Sequence, residues 1–283
     1  MRLAKVEEAF FRGLMMAATA VILATLVLIL GAVLVKGLPA MNLAMVTQAP
    51  KGGFYLGKEG GILNAILGSL YVTGGATIIS FLIALPIVLY LNAYAKKGSR
   101  LVTATRFSFD VLWGVPSIVY GAFGFAVMLF FGLRASLLGG IIAVTLLMLP
   151  IMARAMDEVV RMVPRELLDA SYSVGATRLE TARKVLARQA LPGIMTAILI
   201  AFGRGIGDAA SVMFTAGFTD SIPYSLMRPA ATLPLAIFFQ LGTPVAEVQE
   251  RAYASALVLT VMILVTSIVA RLIGRRFARH IVG

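Results

Sequence analysis

Cysteine is absent, and histidine occurs once, as His280. Thiol, disulfide and histidine-based metal chemistry are therefore excluded. Charge is also scarce: 13% of the 283 residues are charged and 60% are hydrophobic, whereas a globular domain carries about a quarter charged residues. That deficit excludes an ordinary water-soluble domain and points to a chain embedded in lipid. Acidic residues are the scarcer sign, 13 against 25 Lys and Arg, for a net charge of +12. Such an excess fits nucleic acid, anionic lipid or a topology signal, and the positions of the basic residues decide among them. No polar linker or low-complexity tract divides the chain.

A helix needs about 20 apolar residues to cross roughly 30 Å of hydrocarbon. Apolar runs of that length predict six transmembrane helices, at about 13–35, 64–94, 111–133, 135–156, 192–218 and 252–273. They form a transmembrane domain over 13–273, preceded by a segment 1–12 and followed by a tail 274–283. The first run is longer than the 7 to 15 apolar residues of a signal peptide and has no clean cleavage site, so it is expected to be retained. Only the fifth run is interrupted, by Arg204 and Asp208. Lys and Arg gather in alternate connections: Arg2, Lys5 and Arg12; Lys96, Lys97, Arg100 and Arg106; the stretch 161–188; and Arg271, Arg275, Arg276 and Arg279. Because cytoplasmic loops accumulate these residues, both termini are expected in the cytoplasm of a multi-pass inner-membrane protein. The charge is then a topology signal with an attraction to membrane lipid, and no nucleic acid is expected as a partner.

Two glycine-rich runs resemble nucleotide sites and fail. Residues 52–59 lack the Ser or Thr that would hold magnesium, because Glu59 stands there. The run at 203–207 has neither a preceding strand nor the spacing of a dinucleotide fingerprint. Any ATP and Mg would thus be bound by another chain, with no cofactor or metal in this one. The carboxylate pairs Asp157 and Glu158, Glu166 and Asp169, and Glu247 and Glu250 read as solvated charge at helix ends, and no nucleophile and base can be named. The lone His280 reads as a solvated tail residue.

Residues 163–188 carry more local structure signals than a connector needs. Pro164 opens a helical pattern through Leu167, Leu168, Ser171 and Val174, Gly175 ends it, and Thr177 with Glu180 forms a capping box that starts a second helix. A cytoplasmic helix-turn-helix of this kind suits docking. The stretch Asp169-Ala170-Ser171-Tyr172-Ser173-Val174-Gly175, continuing to Leu191-Pro192-Gly193, resembles the E-A-A loop by which importer-type ABC permeases engage their ATPase subunits. Asp169 stands where Glu is usual and Ser171 where the second Ala is usual. The resemblance implies ATPase coupling through Glu166, Asp169, Ala170, Ser171, Gly175, Leu191 and Pro192.

Three further segments are Leu112-Trp113-Gly114-Val115-Pro116-Ser117, Leu149-Pro150-Ile151-Met152-Ala153-Arg154, and Gly203-Arg204-Gly205-Ile206-Gly207-Asp208-Ala209-Ala210. Together they are similar to the A-type permease subunits of phosphate-specific ABC importers, over about residues 60–276. What this implies is an all-α permease, not catalytic by itself, translocating inorganic phosphate. The implied partners are a homologous C-type permease, a dimer of ATPase subunits and an extracytoplasmic phosphate-binding protein. The same machine carrying molybdate, tungstate or sulfate is the near alternative, and an ATP-independent anion transporter or an embedded enzyme acting on lipid phosphate are the remoter ones.

Arginine in mid-span costs roughly 2.5 to 3.5 kcal/mol on insertion scales, so one retained there is a functional candidate. Arg204 lies roughly 18 Å along a helix counted from Pro192, and Asp208 follows at i+4 on the same face. Gly203, Gly205 and Gly207 leave the surrounding surface without side chains. Packing by a buried Arg–Asp pair is the competing structural reading. Arg154 reads alone as the cytoplasmic end of the fourth span, with Pro150 one turn earlier able to break the helix. The resemblance places both arginines on the substrate pathway, and Asp208, which stands where the family usually has Glu, is read there as the carboxylate that exchanges Arg204 with the anion. Tyr71, Thr73, Ser117 and Tyr120 read as hydroxyls satisfied within the bundle, Pro86 and Pro116 as kinks, and 221–243 as a segment able to close the outer mouth.

Overall fold

The computed structural model describes residues 2–51, 59–96 and 98–278. Most of the failed phosphate loop (52–58), Lys97, Arg279 and His280 lie outside the described residues. The chain is helical almost throughout. It runs α1 (Arg2–Gly37), α2 (Leu43–Thr47), the two-residue strands β1 (Pro50–Lys51) and β2 (Glu59–Gly60), α3 (Leu63–Ala93), α4 (Arg100–Gly114), α5 (Ser117–Phe130) and α6 (Leu137–Arg161). There follow α7 (Arg165–Ser173), α8 (Arg178–Glu180), a π-helical turn (Thr181–Leu186), α9 (Ala187–Gln189), α10 (Leu191–Ile206), α11 (Leu233–Leu241) and α12 (Ala246–Ala278). Side-chain caps set several starts: Asn42 accepts from the Met45 amide, Ser99 from Val102 and Ser136 from Gly139.

Among the described residues, four helices are long and apolar enough to cross a membrane: those within 7–40, 63–93, 137–161 and 246–269. The number reaches six only when each of two bent pairs is taken as one span. One pair is α4 with α5, bent by 100°; the other is the 178–189 helix with α10, bent by 71°. The expected third span, 111–133, is therefore not a single helix. Pro116 has no amide to donate and forces Val115 into an extended conformation, so α4 stops at Gly114 and α5 leaves in a new direction. Pro150, in contrast, ends no helix: it omits one hydrogen bond of the ladder, yet α6 continues through it to Arg161, as α3 continues through Pro86.

The largest departure concerns residues 192–218, expected as one span interrupted only by the charges of Arg204 and Asp208. Helix α10 ends at Ile206 after 16 residues, roughly 24 Å, short of the hydrocarbon thickness. From Gly207 to Thr232 the backbone is irregular, yet Ser211, Val212, Thr215, Ala216 and Ala230 are buried. Non-helical backbone at membrane depth is tolerated where protein encloses it and satisfies its polar groups. Here the free amides at the start of α6 do much of that: Ser136 donates to the Thr215 carbonyl at 2.9 Å, Leu137 to Arg228 at 2.8 Å and Leu138 to Leu226 at 2.8 Å. Asn64 donates to the Thr219 carbonyl and the Leu233 amide to Ser69 Oγ. Gly68 is needed at this contact, since a Cβ there would lie 1.9 Å from the Ala231 carbonyl oxygen.

The main core joins α3, α6 and α10 around Val72, Val88, Met148, Met152, Met156 and Ile194. Helix α6 is its axis, with 72% of its apolar window buried. Glycine permits the close approach of α10: a Cβ on Gly193 would lie 2.0 Å from Val159 Cγ1, and one on Gly205 2.5 Å from Met148 Sδ. These two contacts also fix an antiparallel register. A smaller core gathers Met45, Ile62, Leu233 and Ala254 at the other end of the bundle. Helix α1 has no buried residue in its apolar window. It packs on α12, where Gly37 lies against the Tyr253 backbone and Lys36 Nζ sits 5.0 Å from the Tyr253 ring centroid.

Candidate substrate pathway and coupling segment

Arg204 occupies the last turn of α10, where the helix dipole favours a cation. Its side chain is 53% exposed and Nη2 lies 3.9 Å from Asp208 Oδ1, whereas the Asp208 side chain is 4% exposed. The pair is a loose one, at the edge of ion-pair distance and beyond hydrogen-bond reach. Asp208 is held instead by the backbone: Oδ2 accepts from the Ser211 amide at 2.8 Å and so closes the turn that follows the helix. A Cβ on Gly203 would meet nothing within 4 Å, and one on Gly207 only its own Gly203 carbonyl, so the surface beside the guanidinium is open. Gly205 does not share that role; it faces inward against Met148.

Arg154 belongs to a different constellation. Nε binds Asp110 Oδ1 at 2.8 Å and Nη2 binds Glu158 Oε1 at 2.9 Å. Both carboxylates sit on the Nε–Nη2 edge of its donor fork. From the α6–α10 register, Arg154 lies roughly 8 Å along the axis from the level of Arg204, toward the α7 end. No described contact brings the two arginines together. Of the candidate hydroxyls, that of Tyr120 is spent locally, donating to the Leu112 carbonyl at 2.7 Å.

Asp157 corrects the expectation of solvated charge. Its side chain is fully buried, and its carboxylate accepts from Arg106 Nε at 2.8 Å, Arg106 Nη2 at 3.1 Å and Asn92 Nδ2 at 2.7 Å. This knot ties α3, α4 and α6 just below Arg154. Its partners stand 51 and 65 residues away in sequence, so no local pattern announces it. The signal available was weaker: Asp157 follows Met148, Met152 and Met156 on a helix whose apolar side turns inward.

The expected docking segment projects from the end of the bundle where α6 stops. Pro164 lies just outside the first helix, which begins at Arg165 with Glu166 in its first turn. Gly175, with φ +83°, turns the chain in the left-handed region after α7. Thr177 and Glu180 then form a reciprocal cap, Thr177 Oγ1 accepting from the Glu180 amide and Glu180 Oε2 from the Thr177 amide at 3.1 Å. These bonds and Lys184 hold the exposed Glu180 carboxyl at about 2, below its usual 4.5. Ser171 has a purpose that Ala would lack: its hydroxyl lies 2.9 Å from that of buried Thr181 and so joins α7 to the π-helical turn. Leu191 and Pro192 open α10 at the 71° bend, while Asp169 and Ala170 lie exposed on α7.

Residues 83–282 match the family model described as "Binding-protein-dependent transport system inner membrane component". The chain belongs to this family. Its relatives include the phosphate transport system permease protein PstA of Yersinia pestis, 34% identical over 88% of this chain and 83% of that protein. That of Haemophilus influenzae is 31% identical over 86% and 85%, and PstA 1 of Mycobacterium tuberculosis H37Rv is 34% identical over 76% and 70%. Among solved structures, a chain of the MetNI methionine ABC transporter in an inward-facing conformation superposes with a TM-score of 0.60 at 22% identity, covering 76% of this chain and 95% of that one. An amino acid ABC transporter chain gives 0.56, also at 22%, covering 76% and 92%. The fold is that of an importer-type permease, all-α and multi-pass in the inner membrane. Members are transmembrane subunits rather than enzymes by themselves, and association with ATPase and binding-protein partners follows from membership.

Proposed function

We propose that this chain is the A-type permease of an ATP-driven importer of inorganic phosphate, with Arg204 as the residue that receives the anion inside the membrane. The names of the relatives support the substrate. The observation that carries the site is the loose Arg204–Asp208 pair: a half-exposed arginine 3.9 Å from its carboxylate, beside two glycines with open space above them. A guanidinium is always charged and offers two parallel donors to two oxygens of a tetrahedral anion. Asp208, fixed by the Ser211 amide, remains close enough to reclaim Arg204 once the anion leaves. Arg154 then offers the anion Nη1, and its Nε–Nη2 edge on releasing Asp110 and Glu158.

The segment 163–188 faces the cytoplasm in this reading, with both termini on that side, and transmits the movement of an ATPase dimer that binds ATP and Mg. A homologous C-type permease completes the pathway along the exposed side of Arg204, and an extracytoplasmic phosphate-binding protein delivers the solute. Arg204→Gln removes the fixed charge and keeps a polar side chain of similar reach. Phosphate uptake by the reconstituted complex is expected to be abolished while the ATPase still co-purifies; normal uptake overturns the assignment. Competition by molybdate, tungstate and sulfate in the same assay measures selectivity, which a guanidinium alone does not provide.

A further inference from the structure

At the end of the bundle that carries α7, a cleft of about 1110 Å³ opens between the α3–α4 connection, the last turn of α6 and the docking segment. Lys96, Arg106, Arg161, Arg165 and Arg178 line it, against one lining carboxylate, Asp169. Two of the cations are held in place: Arg106 by Asp157 behind it, and Arg178 by a hydrogen bond of 3.4 Å from Nη1 to the Tyr94 carbonyl. Among the described residues, Lys96, Arg161 and Arg165 have no ion-pair partner. Cations gathered in a concavity repel one another and focus a positive potential into it, and that cost is offset when an anion enters. The volume decides the size of that anion. Drug-sized ligands fill pockets of about 300–1,000 Å³, so a single tetrahedral phosphate occupies a corner of this cleft and leaves most of the cations unengaged.

We propose that this cleft binds a phosphate-bearing anion larger than inorganic phosphate, distinct from any solute passing Arg204. Its chemistry is shared by two sources, the headgroup of an anionic phospholipid in the adjacent leaflet and a soluble polyphosphorylated molecule. Either would bridge Arg165 and Arg178 of the docking segment to Lys96 and Arg161 of the bundle. An occupied cleft therefore braces the segment against the helix ends, and an empty one leaves it freer to move.

The test uses the full chain, purified with its co-expressed partner subunits in an uncharged detergent. Phosphatidylglycerol retained from mixed vesicles is counted by native mass spectrometry, and binding of tripolyphosphate and of inorganic phosphate is measured by titration calorimetry. The expected result is that tripolyphosphate binds more tightly than inorganic phosphate, or phosphatidylglycerol is retained, and that the Arg161→Gln/Arg165→Gln variant weakens the bound species about tenfold, as loss of charged hydrogen bonds implies. Asp169→Asn, which removes the opposing charge, tightens it. Retention of lipid that tripolyphosphate does not displace identifies the headgroup; tripolyphosphate binding that Arg161→Gln/Arg165→Gln weakens, without retained lipid, identifies the soluble source, since nucleotide sites on the ATPase subunits are untouched by that variant. Equal binding by wild type and both variants overturns the proposal, as does inorganic phosphate binding as tightly as tripolyphosphate with no lipid retained. Should the double variant fail to fold, absence of tightening in Asp169→Asn is sufficient to reject it.

Discussion

Replacing Arg106 by Met removes the main partner of a carboxylate that has no exposed surface and leaves it with one amide donor, Asn92 Nδ2. Breaking a buried ion pair from one side destabilises by about 3–5 kcal/mol. Because the Arg106 side chain is 24% exposed, water reaches part of the site and the lower end applies, about 3 kcal/mol. At about 2–4 °C per kcal/mol for a domain of this size class, the melting temperature of the full chain in detergent should fall by roughly 6–12 °C. Asp157→Leu alone should also destabilise, since it strands a partly buried guanidinium. The double variant Arg106→Met/Asp157→Leu replaces the pair by apolar groups of similar volume and should recover most of the loss, because such replacements are often neutral. Asn92 keeps its bond to the Val88 carbonyl throughout. Fluorescence-detected size exclusion after heating gives the four melting points of the cycle. Additive losses in the double variant would refute the argument, for they would mean that the two residues do not depend on each other.

Gly68→Ala should fail to assemble a stable fold, because its Cβ would meet the Ala231 carbonyl and backbone on both sides must shift; the same thermal assay reads it. Gly203→Ala faces open space and should raise helix stability by up to about 1 kcal/mol, yet slow uptake if an anion must approach Arg204 over that glycine. Unchanged uptake would show that the open surface is not used. At Glu180 the folded pKa of about 2 lies below the usual 4.5, so the cap stabilises the docking segment above about pH 4.5 and the contribution is lost as the pH falls toward 2. Glu180→Ala should accelerate hydrogen exchange at residues 177–186, corrected for intrinsic rates, at pH 7, and the difference from wild type should close over that interval. A gap as wide near pH 2 as at pH 7 contradicts this.

The sequence was legible where the governing interactions are local. Runs such as those of α3 and α6 announce themselves because one stretch must shed its surface against lipid or core, and the Thr177–Glu180 cap is written within four residues. It was misleading at 207–218, because burial demands apolar residues whether the backbone is helical or irregular; hydropathy reports the environment and not the conformation. Arg204 and Asp208 were visible as charges out of place, although their loose separation was not. The Arg106–Asp157 knot was invisible, since its meaning depends on α4 folding back across α6. The π-helical turn has no sequence signature of its own, and only Thr181 reaching Ser171 marks it.

The enclosed stretch between Ile206 and Leu233 also bears on biogenesis. A segment that has only short turns of its own and otherwise finds partners on Ser69, Asn64 and the start of α6 has little independent shape to adopt on leaving the translocon. It must wait in a polar setting until the helices synthesised before it are already side by side. Maturation of this subunit is therefore expected to include a late settling step after insertion, with a defect in α3 or α6 felt first as a chain that reaches the bilayer but never closes around its own interior.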